Sequence, residues 1–491
     1  REHAPLIVST GASPDRPRRG ELAILSIILA AAAALRLYDL GDGLWIDEMY
    51  TLDRYVRRPL GYVLTTFDNQ NQHLLYSVLA WVAVEIFGDN NAALRLPAAA
   101  FGVASLWALW RFARLVTDRR EALFATAFLA VSYHHVWFSQ NARGYSGLLF
   151  FTLLGSEAFW RMLTAHRPSA WRAAIAYAVA MSLGVAIHVT ALFAVAGHGL
   201  LWLGLLVITR RRDLGPNRWH PAVGFALTAG FSLLFYALVA AQFPLTMGDF
   251  SLSETPSFGK ARYMIAEAST GLAKGLPGGW LALIPGVAIV ALGVGSYARQ
   301  SLALPALFSL GALVTMVGTV AMNHPLWPRF FFFCVGFLSL IVFRGIFTLF
   351  GARGVESPSP LGRRAAFSVA LVFCLASAAT VPRAHRPKQD FGGAAAYLQS
   401  VVAPGDAVAT TLTSAFAYRD LLQIHGWGYV RTPEDLKALE AAHSRTWVVY
   451  SRPKLLRARQ PDVWRRLQEE YRLARLFPGT LGDGEVVVRV R

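Results

Sequence analysis

Long apolar runs broken by short, arginine-rich interruptions dominate the chain, and that alternation predicts a bundle of membrane-crossing helices. Runs such as Leu22 to Leu37 and Phe330 to Phe350 are close to the roughly 20 residues a helix needs to cross the hydrocarbon. One apolar run is different. LLYSVLAWVAVEIF, Leu74 to Phe87, is too short to span, carries Glu85 and has polar flanks, so it reads as a half-buried helix inside a long first loop, residues 39–95. About eleven spans are then expected over residues 21–382. The first twenty residues are polar, Pro-rich and basic, and read as a disordered cytoplasmic tail without a small-residue cleavage site.

The basic interruptions set the expected orientation, because cytoplasmic loops carry the excess of arginine and lysine. They lie at Arg16–Arg19, Arg111–Glu121, Arg161–Arg172, Thr209–His220, Tyr297–Gln300 and Gly351–Arg364. The opposite loops hold the richer polar chemistry: Asp39–Arg95, Ser139–Ser146, the turn near His188, Phe243–Gly279 and Asn323–Arg329. These are expected on the external face. After the last predicted span, Ala365 to Val381, the pattern changes. DFGGAAAYLQSVV has helical character, and AVATTL, TWVVYS and EVVVRVR read as strands. The expected fold class is therefore an all-α polytopic membrane domain with a small external α/β domain over residues 387–491.

Composition narrows the function. With 55% hydrophobic and 16% charged residues among 491, an ordinary soluble protein is excluded. The net charge of +17 sits in short loops between spans rather than on a folded basic face, which argues against nucleic acid as a partner and for membrane lipids. Cys334 and Cys374 both fall within predicted spans and read neither as a disulfide nor as metal ligands. Arginine far outnumbers lysine, a bias of high-GC bacteria; the expected location is the bacterial inner membrane, with the site and the C-terminus on the periplasmic side.

Four polar segments share that side. Asp47-Glu48, between Trp45 and Tyr50, places two adjacent acids where a lipid headgroup would lie; an acid there can take a proton from a hydroxyl or bind a divalent metal, with Asp47 the metal candidate. The plainer reading is an Asp that starts a surface helix. SQNARGYS offers Arg143, whose planar fork suits a phosphate, and Tyr145 beside it; an arginine reaching for headgroups fits equally. NHPLWPRF holds Asn323, His324 and Arg329 for a phosphate or sugar, or Trp327 and Arg329 as an interfacial anchor. NQNQHLLY puts Gln72 and His73 at the head of the short helix, and Arg95 begins the second span, where it can pair with an acid of the loop.

Taken in order, these motifs resemble the GT-C glycosyltransferases of the protein O-mannosyltransferase and aminoarabinose transferase superfamily, and within it the bacterial dolichyl-phosphate-mannose-protein-mannosyltransferase-like branch. The carriers are the acidic pair in a long first loop, a short helix opened by His73, the Arg95-Leu96-Pro97 step, Ala142-Arg143-Gly144-Tyr145 and Pro328-Arg329-Phe330. Two departures stand out. Relatives often have His-Pro-Pro or His-Lys-Pro where this chain has Gln72-His73-Leu74, and some have an acid where Ser146-Gly147 stand here. The resemblance implies a donor with one sugar on a polyprenyl phosphate, and an acceptor hydroxyl on an envelope lipid, glycan or protein. It implies an inverting displacement with Asp47 and Glu48 as the catalytic pair, Asp47 as base for the acceptor hydroxyl and Glu48 orienting the acceptor or supporting Asp47, and Arg143, Tyr145 and Arg329 at the donor phosphate. No certain cofactor follows. A transporter or lipid flippase is the alternative from another class, and a non-catalytic sensor a third.

Overall fold

The computed structural model describes residues 16–164, 167–208, 218–242, 283–322, 326–353 and 359–491. Asn323, His324 and the segment Phe243–Gly279 lie outside the described residues. The membrane part is a helical bundle. In chain order its helices are α1 (Arg19–Leu37), α2 (Ile46–Thr51), α3 (Leu60–Thr65), α4 (Leu74–Phe87), α5 (Asn91–Val116), α6 (Arg119–Ala130), α7 (Tyr133–Ser139), α8 (Tyr145–Thr164), α9 (Arg167–Ile187), α10 (Ala191–Ile208) and α11 (His220–Tyr236). Then follow α12 (Leu283–Gln300), α13 (Ala303–Ala321), α14 (Val335–Leu349, entered through a 3-10 turn at Pro328–Cys334) and α15 (Pro360–Ala378).

Among the described residues eight helices are long and apolar enough to cross a membrane, which does not confirm the expected count of eleven. Three further helices fall at expected spans. Helix α6 has only 12 residues, α8 carries Glu157 and Arg161 in its second half, and α12 ends in the polar run Ser296–Gln300. All three pack within the same bundle, α8 against α5 and α9, α6 against α5 and α14, and α12 against α14. The 14-residue α4 remains a short apolar helix, buried along Leu74, Tyr76, Ser77, Ala80 and Ala83 and exposed at Ile86 and Phe87.

The bundle buries its aromatic and aliphatic side chains inward and leaves Leu203, Val207, Leu234, Val287 and Val372 outward, as a lipid-facing surface requires. In hydrocarbon no hydrophobic gain separates helix from lipid, so close packing decides contact. Helices α12 and α14 meet at reciprocal glycines: a side chain on Gly293 would strike the Ile341 carbonyl, and one on Gly345 the Ile289 carbonyl. At the end of the bundle away from α2, Arg344 donates to Glu121 at 2.9 Å, to Gln300 at 3.0 Å and to the Val116 carbonyl at 3.0 Å, tying α5, α6, α12 and α14 together.

After α15 the chain forms α16 (Phe391–Val401), capped by the Asp390 side chain on Gly393 N–H, and a five-stranded sheet. Its strands are β1 (Ala407–Thr411), β2 (Gly428–Val430), β3 (Thr446–Ser451), β4 (Arg472–Phe477) and β5 (Val486–Val490), in the order β2-β1-β3-β5-β4. Strands β2, β1 and β3 run parallel, whereas β5 is antiparallel to both β3 and β4, with Val449 opposite Val488. The strands read from AVATTL, TWVVYS and EVVVRVR are β1, β3 and β5. Those three are buried almost throughout and so show continuous apolar runs. Of the edge strands, β4 is largely exposed and β2 is only three residues long, and neither carries such a run.

Candidate active site

Helix α2 is only six residues long, and its two acids face different surroundings. Glu48 is fully buried. Its Oε1 accepts from Arg95 Nε at 2.8 Å and from the Ala142 N–H at 2.7 Å; its Oε2 accepts from Arg95 Nη2 at 2.6 Å and from the Trp45 N–H at 3.3 Å. Arg95 spends its other donors on the carbonyls of Leu40, Asp42 and Gly43. Burial pushes the Glu48 carboxyl up, but Arg95, Lys388 and the donated hydrogen bonds outweigh it and hold the group below the usual carboxylate range. Glu48 and Arg95 thus form a buried buckle joining the first loop, α5 and the turn before Arg143.

Asp47 turns the other way. Its side chain keeps 18% exposure, and its Oδ2 lies 3.2 Å from Arg143 Nη1 and 3.6 Å from Arg329 Nη1. Arg143 is itself buried and aimed: Nε donates to His73 Nε2 at 2.9 Å and Nη1 to Asn71 Oδ1 at 2.5 Å. Since His73 Nδ1 lies 3.2 Å from the Ile187 carbonyl, which only accepts, Nδ1 carries the proton and Nε2 receives Arg143. Burial, then the Arg143 charge, pushes the imidazole well below its ordinary value, so His73 is neutral. His188 is neutral for the same reasons, and packs 4.4 Å from His73 and 4.8 Å from Tyr145. Gly144 explains how these rings come together: a side chain there would collide with the Ile187 carbonyl, so only glycine lets the start of α8 meet the α9–α10 turn.

The structure therefore brings Asp47, Arg143, Tyr145, Arg329 and His73 into one cluster, with Glu48 and Arg95 behind it. Trp45, beside the acidic pair, is buried in protein, its Nε1–H donating to Asn141 Oδ1 at 3.1 Å. Sequence reasoning missed Asn71, although it lies in the quoted NQNQH run, and saw His188 only as a polar turn. Below the cluster, α9 and α11 leave an open apolar cleft of about 460 Å³ lined by Val179, Leu183, Phe231, Leu234 and Phe235. Leu183 is one helical turn from Ile187. Around Asp47 the neighbours are guanidiniums and an imidazole whose nitrogens are both engaged. Among the described residues no three His, Cys, Asp or Glu side chains converge on a point.

Fold and site together define a polytopic helical membrane protein with a charged cluster at one end of the bundle, next to an appended α/β domain. The family described as dolichyl-phosphate-mannose-protein mannosyltransferase matches residues 71–241, a stretch that includes His73, Arg95 and Arg143 but not Asp47. A search of curated proteins finds no match. Among solved structures, ArnT from Cupriavidus metallidurans bound to undecaprenyl phosphate superposes with a TM-score of 0.54 at 14% identity, covering 96% of this chain and 98% of that one. Its apo form gives 0.57 at the same identity and coverage. Archaeal oligosaccharyltransferase AglB from Archaeoglobus fulgidus, in complex with an inhibitory peptide and a dolichol-phosphate, gives 0.52 at 12% identity, over 95% of this chain and 74% of that one. At 12–14% identity the likeness to these structures is one of fold.

Proposed function

We propose that the protein is an inverting glycosyltransferase that moves one sugar from a polyprenyl phosphate to an acceptor hydroxyl at the external membrane face. The observation that carries this reading is the Asp47 carboxylate held between Arg143 and Arg329 at one end of the bundle, above an apolar cleft. A carboxylate and two guanidiniums are what the reaction needs side by side. The acceptor oxygen attacks the anomeric carbon, its proton passes to Asp47, and the bond from that carbon to the phosphate oxygen breaks. The electron pair leaves with polyprenyl phosphate, whose negative charge Arg143 and Arg329 neutralise.

Each part of the cluster has a place in that scheme. His73 and Asn71 hold the Arg143 fork so that it need not reorganise as charge develops. Tyr145 backs the same guanidinium, its ring 6.0 Å from the Arg143 carbon. Glu48 acts through Arg95 and the Ala142 N–H, holding α2 and the Arg143 turn in register, rather than on substrate. The cleft between α9 and α11 is apolar and suited to the isoprenoid tail, and an ArnT bound to undecaprenyl phosphate shares the fold. The C-terminal domain and the α2 end share the periplasmic side of a bacterial inner membrane in this reading. The acceptor is an envelope lipid, glycan or protein. The test is to incubate purified protein with a panel of polyprenyl-phosphate sugars and measure release of polyprenyl phosphate. Absence of release from every donor, in protein that binds them, would overturn the reading.

A further inference from the structure

Helix α2 runs on only through a five-residue π turn, Leu52–Val56, and so short a helical stretch cannot hold its own geometry, because its few turns cost more order than their hydrogen bonds return. Something must fix α2, and the structure shows that much of the grip comes from far along the chain. Gln389, 1% exposed, accepts the Ile46 N–H on its Oε1 at 3.1 Å. Ile46 is the first residue of α2 and the immediate neighbour of Asp47, so Gln389 satisfies one of the helix's unpaired initial N–H groups from 343 positions away. On the other flank of α2 the Tyr50 ring stacks on Phe416 of the sheet domain, with centroids 4.5 Å apart.

The residue beside Gln389 is equally committed. Lys388 Nζ donates to the Gln140 carbonyl at 2.8 Å and lies 5.1 Å over the Trp137 ring. Trp137 in turn donates its indole N–H to Thr480 of the sheet domain at 2.8 Å. Gln140 starts the turn that continues through Asn141 and Ala142 to Arg143. The short segment between the last membrane helix and the sheet domain thus touches both halves of the cluster, the α2 half through Gln389 and the Arg143 half through Lys388.

We propose that Gln389 is a positioning residue for sugar transfer, a latch by which the post-membrane segment and its sheet domain hold Asp47 in line with Arg143 and Arg329. This rests on the transferase reading above for its chemistry, though the latch itself is a statement about α2. Among the described residues no hydrogen bond of Gln389 reaches the donor cleft, so the latch sets the alignment of the base and leaves donor binding alone. Misplacing a reacting group by an ångström can cost about a hundredfold in rate.

The experiment uses the full chain in lipid nanodiscs, with the polyprenyl-phosphate sugar that the wild type turns over fastest. Gln389→Leu keeps the volume but removes the acceptor; Gln389→Glu keeps an acceptor for the Ile46 N–H. The expected result is a fall of about tenfold to a hundredfold in kcat for the leucine variant with donor KM within twofold, and recovery to within about threefold of wild type for the glutamate variant. Hydrogen exchange of the peptide covering Ile46 to Thr51 should rise in the leucine variant alone. Wild-type kcat in the leucine variant, or equal losses in both variants accompanied by lower thermal stability, would overturn the proposal. If the wild type turns over no donor, the transferase reading fails by itself. The exchange measurement then still decides the latch: unchanged protection of 46–51 in the leucine variant sinks it.

Discussion

Glu48→Gln separates a structural acid from a catalytic one. The carboxylate accepts four hydrogen bonds from two directions, both oxygens from Arg95 and one each from the Ala142 and Trp45 N–H groups. Glutamine has a single acceptor oxygen. Placed at Oε1 it keeps Arg95 Nε and Ala142, but its NH2 then faces Arg95 Nη2 and the Trp45 N–H, donor against donor. Two of four bonds go, one of them to a charged group worth ~1.5–3 kcal/mol, and Arg95 is left buried without its counterion. Removing one partner of a buried pair costs about 3–5 kcal/mol, a large part of a typical stability margin of about 5–15 kcal/mol. The expected outcome is low yield and a lowered thermal midpoint in detergent, with surviving protein impaired in proportion. Arg95→Met should be similarly damaging. The double variant should be less destabilised than the sum by about 2 kcal/mol, because neither charge is then left alone. Wild-type stability with a hundredfold lower kcat in Glu48→Gln would refute this reasoning and return Glu48 to the chemistry.

Asp47→Asn should preserve yield and donor affinity while lowering kcat by about a hundredfold to ten-thousandfold, the usual cost of losing a positioned base; near-normal turnover would remove Asp47 from that role. Arg143→Lys should weaken donor binding, since an ammonium cannot reproduce the fork held by His73 and Asn71, whereas donor affinity equal to wild type in both the Lys and Ala variants would exclude Arg143 from the donor site. Burial, against the pull of Glu48, lowers Lys388 from 10.5 to about 8, with Arg95, Asp42 and the nearby His385 also in its field. Turnover should therefore fall as pH rises through about 8, as Glu48 loses a cationic neighbour, and Lys388→Arg should remove that limb. Stability moves oppositely: between about 8 and 10.5 the folded state binds fewer protons than the unfolded one, so this group favours folding as pH rises, and a parallel loss of thermal stability would contradict the assignment. Cysteines at Gly61 and Gly392, both exposed with open space around them, should react with an impermeant thiol reagent in intact spheroplasts, and one at Gly20 should not; labelling of Gly20 alone would invert the topology.

The apolar runs, the short fourth helix and the three central strands were legible in the sequence because each is written in a local period of hydrophobic residues. So was the gathering of Asp47, His73, Arg95, Arg143 and Arg329, since loops on alternate sides of a bundle must share a face. Span counting was less secure. Helix α6 is short, and α8 carries charges that a neighbouring helix can shelter but a hydropathy average cannot see. What the sequence could not reveal is which charges pair. Asp47 and Glu48 are adjacent, yet a helix turns about 100° per residue, so one points to the open cluster and the other into the protein. That split follows from where α5 and the Arg143 turn pack. Gln389 meeting Ile46, and Lys388 meeting Gln140, leave no local trace in a polar KQD step, because nothing within a few residues of either partner depends on the other. Local pattern set the elements; only the packed tertiary structure decided the partners that aim them.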